Sequence, residues 1–437
     1  MWVSGSVPDD LGTSERTEVA ADAHVPRPTR QAPRPTRQVP RVRSHVHGSL
    51  PALPLGLISA GRSATTMTDP APLSFSDPLD AYAREADRLL DAFRASDDAA
   101  AWRVRWMHPR FRDRPVDEVR TAGLDVDDAR LVVAREHCFD TWDELSTFTD
   151  RVAHGGVVAR FERAAESVVD GDLPALDAAL RDDPMLVRAR SVRTHHATLL
   201  HYVAANGVEG TRQRTPRNVL DVTGALLDAG ADPNALADMY GDRCTTLAML
   251  VSSTPPHEAG VQAALAELLV GRGAATELEG STWKALLTAL TFGFEDTARV
   301  LAARAGRTTD LAVAAGLGAL GDCARLLPTS DEARRQAALA LAAMHGHARV
   351  VRLLLDTGTD PDRYNPEGFH AHSTPLHQAV WSDRLDVVRL LAERGARLDV
   401  RDRIHDGTPL DWAEHGNRFG IAEYLREISD ARVANAG

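Results

Sequence analysis

Lysine is almost missing from this chain of 437 residues: Lys284 is the single copy, and arginine carries the remaining basic charge. Such a skew reflects composition and gives no chemistry. Cysteine is nearly as scarce. Cys138, Cys244 and Cys323 lie far apart, without zinc-ligand or redox spacing, and three thiols cannot build a secreted disulfide framework. Aromatic residues make up only 5%. No apolar run reaches the ~18 residues of a membrane helix. The net charge of −12 lacks the basic footprint that nucleic-acid binding needs. These absences point to a chain of the reducing cytoplasm, without a membrane or nucleic-acid partner.

What is present is alanine and leucine in quantity, a 43% hydrophobic fraction, and more length than one compact core requires. Residues 1–66 stand apart. Their "VPRPTRQAPRPTRQVPRV" is a tandem repeat of Pro and Arg, and the segment holds eight Arg against five Asp and Glu, so +3 here leaves −15 on the rest. This stretch is expected to be a disordered tail, with Met67 the better start of the protein. The alternatives are a Pro-rich docking motif and, from "LPALPLGLISAG", a signal peptide, which its prolines oppose.

From Ser76 the pattern turns helical. Leu79, Tyr82, Ala86, Leu89, Leu90 and Phe93 form one stripe. Thr141 and Glu144 have capping-box spacing, which predicts helices over 128–137 and 142–152. Residues 76–152 are therefore expected to form a small helical module that caps the rest of the chain.

Two phrases then recur. "STPLHQAV" (373–380) and "GTPLDWAE" (407–414) place Thr374 and Thr408 34 residues apart. A threonine caps a helix, a proline takes the first helical position, and a leucine and a small alanine face inward. The second phrase ends apolar helices with Gly230, Gly273, Gly358 and Gly395, each suited to a left-handed cap. The T-P-L-H-x-A phrase resembles the ankyrin repeat family, from about 157 to 431. The resemblance implies an all-α solenoid of about eight helix-turn-helix units, starting near Glu162, Thr198, Thr245, Lys284, Thr309, Ala337, Thr374 and Thr408. It also implies that His377, and His201 at the matching position, bond across to the neighbouring loop. The spacings are uneven. Units at Lys284 and Thr309 are too short for projecting loops ("fingers"), whereas "DAGADPNALADMYGDRCTT" and "DTGTDPDRYNPEGFHAHSTP" are long ones. The last helix, with Arg418, Glu423, Arg426 and Glu427, should face water as a cap.

Ankyrin proteins generally bind other proteins on finger tips and the concave helix face. The resemblance thus implies an interaction module rather than an enzyme, with no cofactor and one copy of the chain holding an unidentified protein. The candidate contacts are Tyr240, Arg243, Arg363, Tyr364, Phe369 and Trp381. Alanine at Tyr364 and Trp381 should then weaken binding and leave the thermal midpoint in place. A competing reading is an enzyme or anion receptor built on "HHATLLHYVAANGVEGTRQRTPRN" (195–218), where Tyr202, Arg212, Arg214 and Arg217 could grip a carboxylate or phosphate. Convergence of His195, His196, Tyr202, Arg212 and Arg214 in one cleft would favour it. Histidine pairs at 195/196 and 370/372 raise zinc, but no Cys partner is near and no metal site is expected. "GLGALG" (316–321) follows no strand, and no G-x-S-x-G elbow is present, so nucleotide and serine-hydrolase motifs are set aside.

Overall fold

The computed structural model describes residues 73, 77–112, 114–240, 242–277, 284–305 and 308–436. The tail expected over residues 1–66 lies outside them. Helices Leu79–Arg94, Asp98–Met107, Val116–Arg120, Val126–Glu136 and Trp142–Ala153 form the N-terminal module. Its stripe is buried as the periodicity requires: Tyr82, Ala86, Leu89, Leu90 and Phe93 pack with Val132, Leu145 and Phe148 in a separate core. The capping box is present. Glu144 N donates to Thr141 Oγ1 at 3.2 Å, and the Glu144 carboxylate accepts from Thr141 N at 3.3 Å.

Eight helix pairs come next. Unit 1 is Gly156–Asp170 with Leu173–Asp182, and unit 2 is the 3-10 turn Leu199–Ala204 with Val219–Asp228. Unit 3 is Thr246–Leu250 with Gln262–Gly271, and unit 4 is Ala285–Thr291 with Glu295–Arg304. Units 5 and 6 are Leu311–Gly316 with Leu320–Leu326, and Glu332–Met344 with Ala348–Asp356. Units 7 and 8 are Pro375–Trp381 with Leu385–Glu393, and Pro409–His415 with Phe419–Ala436. First helices stack on first helices and second on second, which makes two layers. Unit 6 begins earlier than its spacing suggests, because Asp331 accepts from Arg334 N at 2.9 Å and starts a longer helix. The glycines after the second helices are left-handed, with φ of +95° at Gly230, +94° at Gly273, +83° at Gly358 and +90° at Gly395.

The threonine–histidine device recurs in both places the sequence indicates. In unit 7 the hydroxyl and N–H of Thr374 reach His377 Nδ1 at 2.8 and 3.3 Å, and His377 Nε2 reaches the Gly407 carbonyl at 3.2 Å. In unit 2 Thr198 holds His201 Nδ1 at 2.8 Å, and Nε2 reaches the Cys244 carbonyl at 3.3 Å. Both rings are therefore neutral Nε2–H tautomers, assigned from their partners. Burial lowers both pKa values, that of His201 to about 4.

The terminal cap needs one correction. Glu423, Arg426 and Glu427 face water, but Arg418 does not. Its guanidinium turns back and donates to the Trp381 carbonyl at 3.0 and 3.2 Å, so it ties unit 8 to unit 7. Among the described residues no helix is long and apolar enough to cross a membrane.

Candidate interaction surface

The fingers are stitched to one another along one edge. Thr194 N donates to the Cys138 carbonyl at 2.9 Å, Asp238 N to the His195 carbonyl at 2.8 Å, and Arg403 N to the His372 carbonyl at 2.8 Å. The first finger thus rests on the N-terminal module, the second on the first, and the finger that carries Arg403 on the one before it. The second finger is a two-stranded hairpin, Ala237–Met239 against Asp242–Cys244. Tyr240 turns it in a left-handed conformation, φ +56°, and its hydroxyl donates to Asn206 Oδ1. The residue remains 37% exposed. Arg243, next along the hairpin, is also exposed.

The later fingers are held differently. Asp402 accepts from the N–H groups of Ile404, His405 and Gly407 and from Trp412 Nε1, all between 2.8 and 2.9 Å. Burial opposes the charge, but these donors outweigh it and lower the carboxyl's pKa. The loop so folded pushes Ile404 outward, 57% exposed. The sequence pattern alone does not single out Ile404. The signal it offers is an isoleucine between charged residues at a finger tip, "RDRIHD".

Of the remaining expected contacts, several are engaged inside the chain. Arg363 is exposed but pairs with Glu332 at 2.7 Å. The Tyr364 hydroxyl donates to the Arg401 carbonyl, and the Arg403 guanidinium lies 3.9 Å over its ring. Phe369 is half-buried against the core of units 1–6. Beside it His370 Nε2 donates to the Thr291 carbonyl of unit 4 at 2.8 Å, so this finger is tied across the array. Trp381 meets Trp412 edge to face, centroids 5.9 Å apart. The half-buried Trp381 is thus part of the joint between units 7 and 8, and alanine there should lower the thermal midpoint, against the expectation from sequence.

The stretch 195–217 gathers in part. Tyr202, Arg212 and His195 are buried together, His195 with its ring 6.1 Å from Tyr202 and Arg212 at 5.7 Å over the same ring. His196 points away to Asp238 at 2.8 Å, Arg214 sits at the rim on Asp170 at 2.9 Å, and Arg217 is exposed. The carboxylates around Arg212 are the chain's own: Glu162 at 2.9 Å and Glu166 at 3.4 Å. Arg193, 2% exposed, completes the cluster. It pairs with Glu162 at 3.2 Å and with Glu209, donates to the His137 carbonyl at 3.1 Å, and lies 4.4 Å over Phe148. Burial works against a charged Glu209, yet Arg193 and Arg212 hold its carboxyl well below the usual range. Burial pushes the Tyr202 phenol up. The cluster therefore consists of balanced ion pairs that join the N-terminal module to units 1 and 2. Among the described residues no three metal-ligating side chains group together, and no disulfide forms.

The stacked pairs and stitched fingers agree with the comparison to known proteins. Residues 311–402 match the family model for ankyrin repeats (3 copies). That stretch carries ankyrin repeats. Among curated relatives, cyclin-dependent kinase inhibitor 2A of Monodelphis domestica is 36% identical over 85 residues, 20% of this chain and 47% of the relative. Human cyclin-dependent kinase 4 inhibitor B is 40% identical over 83 residues, 19% of this chain and 57% of the relative. Ankyrin repeat and SOCS box protein 6 of Mus musculus is 36% identical over 110 residues, a quarter of each chain. This chain thus spans about half the length of the two inhibitors. The family match starts where unit 5 starts and spans units 5, 6 and 7, and the N-terminal module and units 1–4 lie outside it.

Proposed function

We propose that the chain is a protein-interaction scaffold of the cytoplasm that holds a partner on its finger tips and the adjoining first-helix face, as a single copy and without catalysis. The observation that carries this reading is that apolar side chains stand exposed on three of the fingers: Val192, Tyr240 and Ile404 are 36%, 37% and 57% exposed. Tyrosine and arginine are among the residue types enriched where protein partners are anchored. Two relatives are named as inhibitors of cyclin-dependent kinases, which is consistent with ankyrin units that act by holding a protein. Arg243, on the hairpin that Tyr240 turns, and Arg363 are exposed too and would extend the contact.

The test is co-purification of the full chain from its native cell type, followed by native mass spectrometry. A near-stoichiometric protein partner is expected. Ile404→Glu with Val192→Ser should abolish it while the thermal midpoint holds. A monomer that retains a small molecule, with no protein partner, sinks the reading.

A further inference from the structure

Two successive fingers close at the base in the same way and then differ. Asn365 N donates to the Ser373 carbonyl at 2.9 Å, and Asp402 N to the Gly407 carbonyl at 2.8 Å. Seven residues lie inside the first closure and four inside the second. The Asp402 side chain takes four donors and so sets the shape of its loop. Asn365 stands at the matching point, 3% exposed, and neither Oδ1 nor Nδ2 meets a partner among the described residues. Gln336 donates to the Arg363 carbonyl at 3.3 Å and leaves its own Oε1 unmatched. The base of the long finger therefore does not dictate the course of residues 366–372. The surface on which the loop lands does.

That surface belongs to the first helices of other units. At one end Arg363 is bound to unit 6, through Gln336 and, at 2.7 Å, Glu332. At the other, His370 Nε2 donates at 2.8 Å to the carbonyl of Thr291, the last residue of the first helix of unit 4. Between them Phe369 packs on the core of units 1–6. The loop thus passes unit 5, whose first helix, Leu311–Gly316, is buried at every residue. The chain fills part of its own first-helix face with an extended segment.

The fit is loose. Phe369 and His370 stay half-buried even when seated. His370 is left-handed, φ +62°, a conformation that a residue with a side chain rarely adopts. The buried amides of Asn365 and Gln336 would regain water if the loop rose. Against this stand one aromatic ring and one hydrogen bond. Arg403 N, on the His372 carbonyl at 2.8 Å, fixes the far end, so the part that can lift is 366–371.

We infer that this tip is an internal stand-in for a partner. The first-helix face of units 4–6 receives an extended protein segment with an aromatic residue followed by a hydrogen-bond donor, and that segment displaces Phe369 and His370. The aromatic is its anchor, as aromatics are in protein interfaces. The partner rests on the scaffold reading above, whereas the seat rests on the finger that fills it.

The probe is a fluorescent peptide of residues 363–373, "RYNPEGFHAHS", with a twin that has alanine for its phenylalanine and first histidine. Anisotropy titrations use the full chain, a shortened chain with Gly-Ser-Gly in place of Pro366–Ala371, and Phe369→Ala with His370→Ala, which keeps the finger's length. Saturable binding to both altered chains is expected, at least tenfold tighter than to the parent and at least tenfold tighter than that of the twin. Ile404→Glu in the shortened chain should change nothing. No saturable binding to an altered chain that keeps the parent's helical circular dichroism would overturn the inference. So would equal binding by the parent, or by the twin. If the shortened chain does not fold, the chain with the two alanines decides; if neither folds, the finger is part of the core and the inference falls. Peptide binding without any co-purified protein would leave the seat standing and sink the scaffold reading alone.

Discussion

Arg193 joins the N-terminal module to units 1 and 2. It faces two buried carboxylates, two aromatic rings and the carbonyl at the end of a module helix. A buried ion pair gives little net stability over an apolar replacement, but removal of one partner strands the others and costs about 3–5 kcal/mol. Arg193→Ala should therefore lower unfolding stability by about that amount. Hydrogen exchange should quicken first across residues 126–153, where the module meets the array. Unchanged exchange there would show that the module is held by apolar packing alone. Nothing in the local pattern "ARSVRTHHATLL" marks Arg193, since its partners Glu162 and Glu209 are set by the way units 1 and 2 close. His201 and His377, by contrast, are legible, because each bonds a threonine three residues before it and the turn that opens the next unit.

At the scale of elements, helices and caps follow from short-range chemistry, and fingers do not. The capping box at Thr141, the left-handed glycines and the order of eight pairs can all be read from spacing. The fates of Tyr364, Phe369 and Trp381 cannot. An aromatic on a finger is a contact residue only if the next finger leaves it uncovered, and here Arg403, the core of units 1–6 and Trp412 cover them. Loss of the half-buried Trp381 ring should cost about 2 kcal/mol. Trp381→Ala should accordingly lower the midpoint of units 7 and 8 in a urea titration, and an unmoved midpoint would restore it as a surface anchor. Asp402 sets the shape of the finger that displays Ile404. Asp402→Ala leaves several backbone donors unmatched, and should loosen amides 404–407 by about 1–3 kcal/mol in hydrogen exchange while helices 375–381 and 385–393 stay protected.

For the whole molecule, the buried histidines set a pH dependence. Folding keeps His201, His345, His370, His372 and His377 neutral, mainly through burial, with His201 and His372 lowered to about 4. A folded pKa below the unfolded one gives stability that is full above about pH 6.5 and falls as the unfolded chain takes up protons. For His201 alone the loss at pH 5 is on the order of 2 kcal/mol. Denaturation midpoints should thus drop between pH 7.5 and pH 5, before the carboxylates titrate. A flat profile over that interval would contradict the neutral tautomers of the two threonine-bound rings.

A solenoid in which each repeat meets only its neighbours should come apart under tension like a zipper, one tooth at a time. The bond from His370 to Thr291 changes that, and so does the pair between Arg384 and Glu295 at 2.7 Å, since both bridge from unit 7 to unit 4. They act as a knot in the thread. Pulled from its ends in an optical trap, the chain should release its terminal units in small steps, then hold. The stretch between the ties, 79 residues from Thr291 to His370, should then open as one event of roughly 280 Å. With His370→Ala and Arg384→Ala the same length should unwind gradually.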